Sequence, residues 1–118
     1  MSLYHGGCQC GAVRFSAELS LEQPVICNCS RCRRLGSVLV FAPVAGFTLE
    51  SGAAELSDYL FNKQVIRHRF CRICGIESFS EGRMPDGTAM VAVTVNCLDG
   101  VDARECAARA FAYDGASL

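Results

Sequence analysis

Apolar and polar residues alternate along much of this chain with a period of two, the signature of strands with one buried face. Val13, Phe15 and Ala17 alternate with Arg14, Ser16 and Glu18. Ser37 to Val44 is an apolar, β-branched run closed by Ala45-Gly46, and Phe47 to Glu50 alternates up to the Ser51-Gly52 turn. Tyr59 to Phe61 reads as a short strand, Asn62-Lys63 as a turn, and Gln64 to Cys71 as the returning strand. Ile76 to Ser80 is a further strand, and Pro85-Asp86-Gly87 carries the residues that set turn dihedrals. Beyond it Ala89, Val91, Val93 and Val95 line one face of the clearest strand. Only two stretches suggest helix: the alanine-rich Val101 to Ala110, and a single turn from Ser30 to Leu35. The pattern predicts a mostly β protein.

Composition changes this picture little. A chain of 118 residues, 51% apolar, is expected to fold as one domain over residues 1–118 with a modest core. A formal charge of −1 and the lack of a basic run argue against a nucleic-acid partner. No apolar run approaches the roughly 18 residues of a membrane span. The opening Met1 to Gly7 has neither the basic nor the apolar segment of a secretion signal. A cytoplasmic location is therefore expected, with its thiols kept reduced. Nothing in the sequence speaks to oligomeric state.

The nine cysteines change it a great deal. Cys8 and Cys10 form C-x-C; Cys27, Cys29 and Cys32 form C-x-C-x-x-C; Cys71 and Cys74 form C-x-x-C followed by Gly75. Thiolates so spaced can converge on one ion, and soft tetrahedral Zn²⁺ suits them. Disulfides, redox thiols and plain packing are the competing readings, and packing is the better one for the isolated Cys97 and Cys106. Seven clustered ligands are one short of two closed Cys₄ sites. That arithmetic predicts two zinc ions per chain, one sealed and structural, one with a vacant position where chemistry can occur. The glycines at 75 and 11 accept positive φ and would let backbone N–H groups reach the thiolates. Spacing alone leaves open which clusters share an ion.

A resemblance addresses that point. Gly7-Cys8-Gln9-Cys10-Gly11-Ala12-Val13-Arg14-Phe15, Cys27-Asn28-Cys29-Ser30-Arg31-Cys32-Arg33 and Phe70-Cys71-Arg72-Ile73-Cys74-Gly75 resemble the glutathione-dependent formaldehyde-activating enzyme and centromere protein V family. Val93 to Gly100 and Tyr113-Asp114-Gly115 also look like family positions. Asn28 departs from the family pattern, which commonly has histidine there. The resemblance implies a small zinc-bearing β-tent fold of short antiparallel strands. It implies that Cys8, Cys10, Cys71 and Cys74 hold the structural zinc, and that Cys27, Cys29 and Cys32 form the catalytic, open zinc site. The activity implied is that of a carbon–sulfur lyase: glutathione adds to formaldehyde, or the adduct is cleaved.

Other residues fit around this reading. Arg31, Arg33, Arg34 and Arg72 flank the clusters and could offset thiolate charge. Arg33 and Arg34, with Lys63 or Arg67, are candidates to bind the carboxylates of a thiol such as glutathione, since a guanidinium holds carboxylates bidentately. Asn28 and Asn96 are candidate donors to a developing alkoxide, though a structural role suits both, and His68 lies on a strand next to a knuckle. His5 reads as a surface residue. Cys97 could close the middle cluster, which would leave a zinc-stabilised binding module without catalytic activity as the alternative function.

Overall fold

The computed structural model describes residues 1–117. Strands β1 (Ser2–Gly7), β2 (Arg14–Leu19) and β5 (Phe47–Ser51) form a three-stranded antiparallel sheet in the order β1-β2-β5. The second sheet has seven strands: β3 (Val25–Cys27), β4 (Leu39–Pro43), β6 (Leu56–Tyr59), β7 (Arg67–Cys71), β8 (Glu77–Arg83), β9 (Ala89–Thr94) and β10 (Phe111–Tyr113), in the order β10-β3-β4-β9-β8-β7-β6. All its pairings are antiparallel except β10 with β3, which is parallel. Two short helices, α1 (Cys32–Leu35) and α2 (Ala103–Ala108), and single 3₁₀ turns in the connections and after β10 complete the regular structure. The fold is mostly β, as the pattern predicts.

The core lies between the two sheets because the alternating positions face one another. Val13, Phe15 and Ala17 are fully buried from the small sheet, and Val40, Ala42, Phe79, Val91 and Val93 from the large one. Phe15, Phe47 and Phe79 meet across the gap, with ring centroids 5.2 Å (Phe15–Phe47), 4.7 Å (Phe47–Phe79) and 6.1 Å (Phe15–Phe79) apart. Aromatic pairs at these separations contribute about 0.5–1.5 kcal/mol each beyond the area they bury.

Three strands lie outside the sequence expectation. β1 contains Gly6 and Gly7, residues depleted from strands, yet here glycine is required by close approach. A Cβ at Gly6 would stand 2.5 Å from the Cys97 carbonyl oxygen, and one at Gly7 would overlap that of Val13. β3 and β10 span three residues each, too short for a period to register. The sixth strand ends at Tyr59, so Phe61 belongs to the connection, where Asn62 (φ +56°) and Gln64 (φ +58°) turn the chain. Helix α2 begins where Asp102 accepts a hydrogen bond from the Arg104 N–H at 3.0 Å, the capping geometry that satisfies an orphan donor.

Candidate metal centres

The first centre joins segments far apart in sequence. The turn after β1 carries Cys8 and Cys10, Cys71 ends β7 and Cys74 lies in the connection to β8, so four sulfurs lie within 4.8 Å of one another. Four sulfurs about 2.3 Å from one zinc stand about 3.8 Å apart in a regular tetrahedron. Cys8 to Cys10 is 3.6 Å and Cys10 to Cys71 is 3.7 Å, so the donor set fits a tetrahedral Cys₄ ion. Gly11 (φ +84°) and Gly75 (φ +82°) adopt the left-handed backbone that brings the chain around each pair. The Val13 N–H donates to Cys8 Sγ at 3.3 Å, and the Gly75 N–H closes the knuckle on the Cys71 carbonyl at 2.7 Å.

Backbone N–H groups also act on the thiols. Burial pushes Cys74 up, but the Ile76 and Cys10 N–H groups and the neighbouring thiols outweigh it and hold it at about 6. Cys10 moves the other way: the Ala12 N–H favours its thiolate, yet burial and the surrounding thiols leave it at about 11. Shared charge among close thiolates is what a dication relieves on binding.

The second centre is local. Cys27 ends β3, Cys29 lies in the following turn and Cys32 opens α1, with their sulfurs within 4.8 Å of one another. The Cys29 N–H donates to Cys27 Sγ at 3.4 Å and the Cys32 N–H to Cys29 Sγ at 3.3 Å. Burial raises Cys29, but N–H groups from Cys32 and Arg31 and the neighbouring thiols more than offset it, so this thiol lies below its ordinary value. Burial and the other sulfurs push Cys32 well up, and burial leads the upward shift of Cys27. Three thiolates suit a soft divalent ion and leave a tetrahedron one ligand short.

A cleft of about 400 Å³ opens beside this cluster, lined by Cys27, Cys32 and Arg33 with Ile26, Val38 and Tyr113. The C-terminal segment closes its other side. Gly115 passes so near Cys27 Sγ that a Cβ there would overlap the sulfur. Asn28 holds that segment at both ends of its amide: Nδ2 donates to Asp114 Oδ1 at 2.9 Å, and Oδ1 accepts the Ala116 N–H at 2.9 Å. Asn96 is likewise engaged through Oδ1, which accepts the Val38 N–H at 3.0 Å.

The flanking charges have separate fates. Arg33 lines the cleft and, among the described residues, has no ion-pair partner. Arg34 donates to the Ser30 carbonyl at 2.7 Å. Arg67, the first residue of β7, is paired with Asp58 at 2.6 Å and Glu81 at 3.5 Å. Arg72 meets Glu55 at 2.7 Å without hydrogen-bond alignment. His5 is a surface residue of β1 facing Glu50 at 3.9 Å. His68 is buried and lies 3.3 Å from Glu77.

Cys97 does not close the second centre. The 3₁₀ turn Val95–Cys97 carries it to the end of β1, where Gly6 bridges to Leu98. Its Sγ lies 4.0 Å from the Glu77 carbonyl oxygen, and it is not among the sulfurs that converge at either centre. Burial, with the charges of Cys8, Cys74 and Glu77, pushes its thiol up to about 12. Spacing gave no signal for this placement, which follows from the close approach of β1 to the turn after β9 at Gly6.

Relatives agree with this architecture. A crystal structure of a Rhodobacter sphaeroides protein, determined by a structural genomics programme, superposes with a TM-score of 0.80 at 31% identity. That match covers 92% of this chain and 98% of the other. The sequence model of the glutathione-dependent formaldehyde-activating enzyme family matches residues 3–114, which takes in both cysteine centres and the C-terminal turn at Asp114. With nearly its whole length accounted for in this way, the chain belongs to the glutathione-dependent formaldehyde-activating enzyme family.

Proposed function

We propose that this protein is a zinc-dependent carbon–sulfur lyase-type enzyme that handles glutathione–aldehyde adducts, in the manner of an S-hydroxymethylglutathione synthase. The observation that carries this reading is the three-cysteine cluster, one ligand short of a tetrahedron, at the wall of a 400 Å³ cleft that also presents Arg33. Cys8, Cys10, Cys71 and Cys74 would hold a structural zinc, and Cys27, Cys29 and Cys32 a second. When bound at the open position, zinc lowers the pKa of a thiol or polarises a carbonyl.

The chain's own residues supply the rest. Arg33 would hold one carboxylate of glutathione bidentately. Ile26, Val38 and Tyr113 give the cleft an apolar wall that limits water around the reacting sulfur. In the forward direction the thiol sulfur bonds to the aldehyde carbon, the C=O π pair moves to oxygen, and the thiol proton ends there. Cleavage is the reverse.

The test is the rate of exchange between glutathione with formaldehyde and their adduct, followed by carbon-13 exchange NMR. Wild-type protein is expected to raise it above the spontaneous rate, and folded Cys29→Ser to leave it at that rate. Equal rates with both proteins, together with no glutathione binding, would contradict the enzyme reading and favour a zinc-stabilised binding module.

A further inference from the structure

Between the two centres lies a buried chain of polar groups that the reaction above does not use. Glu77, the first residue of β8, is three positions past Cys74, and its side chain is only 6% exposed. Arg31, between Cys29 and Cys32, donates from Nε to Glu77 Oε1 at 2.9 Å, and its Nη2 stands in ion-pair contact with the same oxygen at 2.7 Å. His68 Nδ1 is 3.3 Å from the other oxygen, Oε2. A carboxylate can only accept, so the ring nitrogen facing it is the donor. A buried charge is tolerated when it is paired and hydrogen-bonded, and both oxygens of Glu77 have partners.

The network is also held from outside. The Arg31 guanidinium lies over the Tyr59 ring, 4.6 Å from its centroid. Tyr59 stacks with Phe61 at 5.8 Å, and Phe61 packs on His68 at 5.2 Å. Arg31 is therefore fixed from two directions although it belongs to a short turn. The next N–H along the turn, that of Cys32, donates to Cys29 Sγ at 3.3 Å. Fixing the side chain fixes the orientation of that N–H and the shape of the Cys29–Cys32 turn. Groups that orient metal ligands typically change metal affinity or activity about 10–100-fold when removed.

We propose that Arg31, Glu77 and His68 form a positioning brace through which the strand leaving the four-cysteine knuckle holds the three-cysteine turn in its ligating shape. The brace rests on the reading that Cys27, Cys29 and Cys32 take a metal. It makes Arg31 a positioning residue, distinct from Arg33 at the cleft. It also makes the second centre dependent on a residue 46 positions away in sequence.

Cobalt(II) titration of the full chain, with chelator competition, tests this through the thiolate charge-transfer and ligand-field bands. Wild type is expected to bind two ions. Glu77→Gln should weaken the three-cysteine site about 10–100-fold and leave the four-cysteine site within about twofold. Arg31→Lys, at a less buried position, keeps the charge but loses the planar guanidinium that bonds Glu77 and lies over Tyr59, and should fall between wild type and Glu77→Gln. Unchanged affinity at the three-cysteine site in both variants would overturn the brace while the metal reading stands. Equal weakening of both sites would also overturn it, by showing a general loss of structure. One ion only in wild type would overturn the metal reading and the brace together.

Discussion

The two cysteine centres use the same ligand and are built in opposite ways. The four-cysteine centre draws on a turn near residue 10 and a knuckle near residue 72, on different sheets, and its sulfur spacing matches a full tetrahedron. The three-cysteine centre comes from six consecutive residues and faces a cleft. A site that ties distant segments stabilises the fold, because its ion removes freedom from the unfolded chain as well as satisfying thiolates. A site made of one local turn can gain or lose its ion at little cost to the rest. It then needs outside support to keep its shape, which the C-terminal segment bonded to Asn28 and the Arg31–Glu77 pair provide.

The largest expected effect comes from breaking the four-cysteine side. Cys71→Ser should cost on the order of 10 kcal/mol, the scale of a structural zinc, and leave a chain without cooperative thermal unfolding by circular dichroism. A folded variant with an unchanged melting temperature would mean that this centre is not the staple. Next is Cys29→Ser, which should lose one zinc and the catalysed exchange while the melting temperature moves by only a few degrees, about 1 kcal/mol for a domain this size. A collapse of the fold would erase the contrast between the centres.

Smaller still is Arg33→Ala. Loss of one charge-assisted hydrogen-bonding partner, about 1.5–3 kcal/mol, should raise the dissociation constant for glutathione roughly tenfold or more, read by calorimetry, with both zinc ions retained. Arg34→Ala, whose guanidinium is engaged by the Ser30 carbonyl, should change it by less than about twofold.

The smallest effect concerns the scaffold of the knuckle. Partial burial pushes Asp58 up, but Arg67 at 2.6 Å and Arg69 at 2.9 Å outweigh it and hold the carboxyl below its ordinary value of about 4. A depressed folded value means the stabilisation is present above that ordinary value and is lost as pH falls through the folded one. Asp58→Asn should therefore lower stability near neutrality by less than about 1 kcal/mol, read as a lower melting temperature, and the gap to wild type should shrink below pH 4 or so. A gap that widens in acid would reverse the sign of the argument.

Much of this was legible in the sequence, and the limits have physical causes. The period of two located β2 and β9, and the C-x-x-C-G spacing announced the knuckle. The Ser30–Leu35 turn contains α1, whose left-handed Gly36 (φ +68°) ends it. What local pattern could not show was pairing between distant residues. β1 is a strand because Gly6 and Gly7 allow contact with Cys97 and Val13, and no propensity reports that. Arg31 reads as a surface cation until Glu77 is brought beside it. Asn28 reads as a possible donor to substrate until its amide is seen to be spent on Asp114 and Ala116. Cys97 meets Gly6 only because two sheets approach there.

The central claim is that one metal centre is closed and structural and the other open and separable. Zinc per folded chain, measured by elemental analysis on wild type and Cys29→Ser purified under reducing conditions, tests it most directly. The account predicts two and one, with both proteins folded. A single zinc in wild type, or loss of both ions and of the fold in Cys29→Ser, would contradict it.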